Sequence, residues 1–221
     1  MYASSSICQV KKRVANLDSL IIAFDRALRT VTGGASARRT SPAESIAEAD
    51  LTEAERRHAA SLMRVNHCGE VCAQALYQGQ SLASSNASLR STLDRAAREE
   101  EDHLAWSEER IKALGGRTSL LNPLWYAGSF AIGFAAGQLG DRWNLGFLKE
   151  TERQVETHLT GHLERLSPRD DKTRAIIERM RAEEAGHAHM AEQLGARDLP
   201  VPIRAAMRAS SRVMTEITYY I

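Results

Sequence analysis

The chain has 221 residues, enough to bury one core of ordinary size and carry a tail besides. Its 29 basic and 28 acidic residues leave a formal charge of +1, which excludes the broad electropositive surface by which proteins hold nucleic acid. Three cysteines, Cys8, Cys68 and Cys72, form neither a disulfide framework nor a zinc-type cluster, so a reducing setting is expected.

The first thirteen residues are Ser-rich, basic and free of acid, with no apolar signal core. They read as a ragged start, a weak organelle-targeting segment being the alternative. An amphipathic helix is expected from about Asn16 to Val31, where Leu17, Leu20, Ile21, Phe24, Leu28 and Val31 recur before Gly33-Gly34. Ala35 to Asp50 has no apolar period and reads as a linker or a poorly ordered arm. Residues 1–50 therefore form an N-terminal helix and linker, and 51–221 the main domain.

Thr52 with Glu55 forms a capping-box pattern, from which a helix runs through Leu62, Met63, Tyr77 and Leu82. Cys68 and Cys72, one turn apart on it, read as two small buried thiols. Asn86 or Ser88 caps the next helix, which passes Leu89, Leu93 and Ile111 and stops at Gly115-Gly116. Between Arg117 and Asp141 no residue is charged, but Asn122, Pro123, Gln138 and several glycines dilute the stretch. It reads as a buried or membrane-lying helix, not a span. A break near Gly140-Asp141 leads into a helix from about Trp143 to Leu166. Ser167-Pro168 with Asp170 and Asp171 starts another, which Gly195 ends, and a short helix is expected from Ile203 to Met214. No segment alternates with a period of two, so the fold is all-α.

Several polar residues fall on the stripes that should face the interior. One stripe reads Ile177, Met180, Glu184, His187, Ala191, Leu194; another reads Leu93, Ala97, Glu100, His103, Ser107, Ile111. Glu152 lies among Leu145, Leu148, Val155 and Leu159, and Glu70 shares a face with Met63, Asn66, Ala73 and Tyr77. Four carboxylates converging in an apolar interior would oppose folding unless cations sit among them. Two Fe(II) ions balance four glutamates, with two neutral imidazoles completing the ligand set. The candidate ligands are Glu70, Glu100, His103, Glu152, Glu184 and His187, and iron or manganese suits them better than calcium or magnesium. Glu, then Glu-x-x-His, then Glu, then Glu-x-x-His is a pattern already known for ferritin-like di-metal bundles, and it is matched here, not deduced. It predicts an antiparallel four-helix bundle with a long crossover and extra N- and C-terminal helices. Glu99, Glu101, Asp102 and Glu183 read as solvated-face acids. Glu99 and Glu183 have the alternative of accepting hydrogen bonds from the ligand histidines.

The strings Asn66-His67-Cys68-Gly69-Glu70, Glu99-Glu100-Glu101-Asp102-His103-Leu104, Glu150-Thr151-Glu152 and Glu183-Glu184-Ala185-Gly186-His187 resemble the demethoxyubiquinone hydroxylases of ubiquinone biosynthesis. The glycine-rich apolar stretch from Asn122-Pro123-Leu124-Trp125 to Gly140 resembles them too. The resemblance implies a di-iron monooxygenase that hydroxylates 2-polyprenyl-3-methyl-6-methoxy-1,4-benzoquinol with O2, using the same six ligands. The electron donor is open. His158 and His162 are candidates for supporting hydrogen bonds or proton delivery, ordinary partly exposed histidines being the alternative. A polyprenyl tail implies a peripheral membrane protein, with other ubiquinone-biosynthesis proteins as possible partners. The cytoplasmic face of a bacterial inner membrane is preferred over the mitochondrial inner membrane. The first helix and Leu120 to Leu139, with Trp125, Tyr126 and Phe130, are expected at the interface or along a tail channel, or else in ordinary packing. Trp106 and Trp143 are expected in the core. An iron-storage or peroxide-scavenging protein would share the ligands, although the paired CxxC motifs of a rubredoxin-like module are missing. A non-enzymatic lipid-binding bundle and a hydroxylase acting on tRNA are more distant alternatives.

Overall fold

A computed structural model describes residues 17–221, with side chains from residue 21 onward; Cys8 and the Ser-rich start lie outside the described residues. Among the described residues seven helices follow one another, α1 (Leu17–Thr32), α2 (Glu53–Ala83), α3 (Ala87–Ala113), α4 (Asn122–Gln138), α5 (Asp141–Arg165), α6 (Asp171–Gln193) and α7 (Val201–Tyr220). There is no strand among the described residues. Helices α2 and α3 form one hairpin and α5 and α6 another, and together they make the four-helix bundle. Helix α4 occupies the crossover between the hairpins and lies along α2.

Local chemistry sets most of the boundaries. Thr52 and Glu55 close a reciprocal capping box at the start of α2, and the Asn86 side chain accepts from the backbone of Ser88 and Leu89 to start α3. Gly115 and Gly195 lie at φ 74° and 92°, where a side chain would be strained, and turn the chain out of α3 and α6. Two ends differ from expectation. The cap of α6 is Asp170, not Ser167, because the Ser167 hydroxyl donates to Glu55 at 2.9 Å while Asp170 accepts from the Thr173 backbone. Helix α7 runs six residues past Met214 because its end packs on α2. Tyr219 Oη pairs with His58 Nδ1 at 2.7 Å, and buried Thr218 donates to Cys68 Sγ at 3.6 Å.

The stretch between α1 and α2 carries no helix, as a linker should, but it is pinned to the bundle and is not a loose arm. Buried Asp102 accepts from the Arg38 backbone, and Glu48 holds Arg110 through two contacts of 2.8 Å. Arg110 is 3% exposed and also holds Asp170 at 2.8 Å and Thr173 Oγ1 at 2.7 Å. Replacing Arg110 by Ala strands the Asp170 carboxylate without its cation. The expected cost is about 3–5 kcal/mol, read as a lower midpoint in urea unfolding.

Helix α4 approaches α2 closely through glycine. A Cβ on Gly133 would fall on the Leu76 carbonyl, and one on Gly79 on the Phe130 carbonyl. Helix α4 leaves Leu124 and Ile132 exposed, as does the chain at Leu139 just past its end, and α1 likewise exposes Ile21, Ile22, Phe24 and Leu28. No helix among the described residues is long and apolar enough to cross a membrane. Trp106 is in the core, whereas Trp143 is only partly buried, beneath the Arg197 guanidinium at 4.7 Å.

Candidate metal centre

The interior stripes deliver six side chains to one place, one from each of α2 and α5 and two from each of α3 and α6. Ligand atoms of Glu70, Glu100, His103 and Glu184 lie within 4.8 Å of one another, as do those of Glu152, Glu184 and His187. Glu184 belongs to both groups. All six residues are buried. His103 Nδ1 is 2.7 Å from Glu100, 3.4 Å from Glu184 and 3.8 Å from Glu70. His187 Nδ1 is 3.1 Å from Glu100 and 3.6 Å from Glu184.

The outer ring nitrogens point away from the cluster to acids on the opposite hairpin. His103 Nε2 meets Glu183 at 2.6 Å, and His187 Nε2 meets Glu99 at 2.9 Å. Each bond places a proton on Nε2 and leaves Nδ1 as the nitrogen that faces the cluster, open to a metal once its own proton is displaced. Glu99 and Glu183 thus take the histidine-bonding role that their positions on the chain left as the alternative. Asp102 is no solvated acid either; it is 3% exposed and bound to Arg39. Glu101 stays near the surface beside Arg38, at 3.3 Å.

Burial pushes the carboxyls of Glu70 and Glu152 well above the ordinary range, and repulsion from Glu184 adds to it. Burial works against charge on His103 and His187 too. Glu100, with Glu184, overrides it, lifting His103 well above its usual value and pushing His187 up to about 12. A site that draws positive charge this strongly also draws metal cations. Both oxygens of Glu100 and Nδ1 of each histidine are buried without a well-aligned hydrogen-bond partner. Four orphaned buried ligand atoms and a mixed oxygen and imidazole donor set fit transition-metal ions of the iron class. Tyr77, which reads in the sequence as a core aromatic, donates its hydroxyl to Glu152 and steadies that carboxylate.

An apolar cavity of about 460 Å³ opens beside the cluster, between α2, α4, α5 and α7. Glu70 forms part of its wall, with Leu76, Trp125, Phe147 and Met207 among the apolar lining. Cys72, expected to be buried like Cys68, is partly exposed and lines the same space. Asn66 Oδ1, Trp125 Nε1 and His158 Nε2 are buried there without partners. Ile132 and Ile203 line the cavity while 47% and 37% exposed, which marks its mouth. Of the other aromatics of α4, Tyr126 is buried with its hydroxyl on Gln78 at 2.6 Å, and Phe130 packs against the core.

His158 and His162 lie against each other with ring centroids 3.9 Å apart and the rings tilted by 58°. Burial lowers them to about 4 and about 2, so both are neutral at pH 7. A folded value below the unfolded one leaves their stability contribution intact above 6.5 and removes it as pH falls. Each ring adds up to about 1.4 kcal/mol per pH unit to the acid slope of stability. His158→Gln and His162→Gln are each expected to flatten the urea midpoint against pH between 6.5 and 4.

The sequence pattern of the family described as ubiquinone biosynthesis protein COQ7 matches residues 57–218. The chain is 60% identical over 203 residues to a 3-demethoxyubiquinol 3-hydroxylase of Chromobacterium violaceum, covering 92% of this chain and 98% of that one. A relative of the same name from Azoarcus sp. is 59% identical over 202 residues, covering 91% and 98%. A third, from Nitrosomonas europaea, is 56% identical over 206 residues, covering 93% and 99%. With a match across most of its length and relatives this similar over nearly all of it, the chain belongs to the ubiquinone biosynthesis protein COQ7 family.

Proposed function

We infer that the protein is a 3-demethoxyubiquinol 3-hydroxylase, an oxidoreductase that adds oxygen to the ring of a quinol with O2. The observation that carries this reading is Glu70, which belongs to the buried cluster and also to the wall of the apolar cavity. A ring entering that cavity therefore arrives beside the cluster. Glu70, Glu100, His103, Glu152, Glu184 and His187 would hold two iron ions in this proposal, Glu184 being the residue common to both groups of candidate ligands. Iron in that position supplies the reducing electrons that make O2 reactive toward an aromatic carbon.

The chain's own residues supply position and dryness. Trp125 Nε1 is a donor and Asn66 Oδ1 an acceptor, both lacking a partner, and they suit the oxygens and hydroxyl protons of a quinol. His158 is neutral, so its Nε2 either accepts or donates a proton according to tautomer. His162, in ring contact behind it, extends that polar path away from the cavity. Tyr77 keeps Glu152 oriented, and the apolar lining excludes water from the ring.

The substrate's prenyl tail leaves through the mouth between Ile132 and Ile203. Elsewhere on the surface α4 exposes Leu124, α7 exposes Val201 and Val213, and α1 exposes Phe24. These surfaces support peripheral attachment to a membrane, assigned here to the cytoplasmic face of a bacterial inner membrane in view of the bacterial relatives. Residues 1–50 form the attachment helix and linker of this scheme, and 51–221 the hydroxylase domain.

Anaerobic reconstitution with Fe(II), then O2 and a short-tailed demethoxyquinol, tests the reading through iron stoichiometry and product mass. Two irons per chain and a product heavier by one oxygen are expected. Iron oxidation without ring hydroxylation would favour a storage or scavenging protein, and failure to bind iron would overturn the ligand assignment.

A further inference from the structure

The two histidines of the cluster are backed unequally. Glu99, behind His187, is 42% exposed and pairs with no arginine or lysine among the described residues. Glu183, behind His103, is 13% exposed and held on both oxygens by Arg39, at 2.5 Å and 3.0 Å. Arg179 adds a second cation to Glu183 at 2.5 Å.

Arg39 is itself fixed. Its Nε donates to Asp102 at 2.5 Å, and its backbone N–H also reaches Asp102. Its guanidinium lies over Trp106, 4.9 Å from the ring centre, and the Trp106 indole N–H donates to the Arg39 carbonyl at 3.3 Å. It comes from the helix-free segment ahead of α2, outside the 57–218 stretch that matches the family pattern. A planar fork gripping both oxygens fixes the plane of the Glu183 carboxylate as well as its place. The oxygen facing His103 then has one direction in which to accept, and the ring has one orientation. Glu99 has no such grip and shares its oxygens with solvent.

We propose that Arg39 is a positioning residue for the metal centre, acting through Glu183 on His103 and making the His103 side the tighter of two unequal metal positions. The proposal rests on the two-metal reading given above. Groups that orient a metal-bound histidine in this way change affinity by about 10–100-fold when lost.

Anaerobic Co(II) titration of the full chain, followed by visible absorption and calorimetry, separates the two readings. The unaltered protein is expected to take up two Co(II) ions with distinct affinities; uptake of none or one would overturn the two-metal reading itself. Arg39→Met is expected to weaken the tighter position by about tenfold or more and leave the weaker within about twofold. Arg39→Lys, which keeps a charge for Asp102 but not the fork, should recover part of the loss and guards against a folding defect in the first variant. In a Glu183→Gln background Arg39→Met should add less than about twofold, since coupled residues are not additive. Two unchanged affinities, an equal loss at both positions, or full additivity with Glu183→Gln would each overturn the positioning role.

Discussion

Replacing Glu184 by Ala is expected to abolish metal retention and quinol hydroxylation together. Glu184 is the one carboxylate common to both groups of candidate ligands, 2% exposed and within 3.6 Å of both histidines. Losing it unmakes both metal positions rather than weakening one. Loss of several kcal/mol of metal-derived stabilisation corresponds to a fall of about 10³-fold or more in rate. The unaltered chain gains about 4 kcal/mol of stability when a metal is present at about 1,000 times its dissociation constant, and the variant gains nothing. Without metal, the variant loses a carboxylate that repels Glu70 and Glu152 but also one that pairs with His103 and His187, so the metal response of each protein is read against its own metal-free unfolding temperature. Thermal unfolding with and without Fe(II), beside a product assay, reads both effects. Metal-induced stabilisation that survived in the variant would remove Glu184 from the ligand set.

The second large effect is expected at Gly133, where α4 crosses α2. Gly133→Val puts a branched side chain against the Leu76 carbonyl, and the obstacle is backbone that cannot rotate away. The helices must separate, at a cost of about 1–3 kcal/mol or more. Gly128, on the same helix, has nothing within 4 Å of the corresponding point, so Gly128→Ala should instead gain about 0.5–1 kcal/mol from helix propensity. Urea midpoints of the pair, opposite in direction, distinguish a packing clash from a general intolerance of α4 to change. Because α4 supplies Trp125, Ser129 and Ile132 to the cavity, Gly133→Val should also lower kcat/KM for the quinol, and Gly128→Ala should not.

Local rules made much of this legible from the residues alone. Helical spacing put Glu70, Glu100, His103, Glu152, Glu184 and His187 on interior stripes, and the structure brings all six together. The capping box at Thr52 and the glycines at 115 and 195 marked ends where they were expected. The misses involve partners distant along the chain. Asp102 looked solvated because its neighbours Glu99, Glu100 and Glu101 are acidic, and nothing nearby announces Arg39. The true cap of α6 depends on Arg110 and on Glu55 occupying Ser167. The last turns of α7 depend on His58 and Cys68, which face them from α2. Periodicity states which face of a helix is buried; it carries no information about which polar side chain arrives from another helix.

The crosswise bonds, Glu99 of α3 to His187 of α6 and Glu183 of α6 to His103 of α3, bear on how such a chain changes over generations. Neither hairpin orients its own histidine, so an altered acid in one half is felt in the other, far away along the chain. Exchange of whole halves between diverged copies of the gene, joined at the turn near Gly140, would bring together acids and histidines with no shared history. The two halves are in this respect inherited as one unit, although each is a hairpin of similar design.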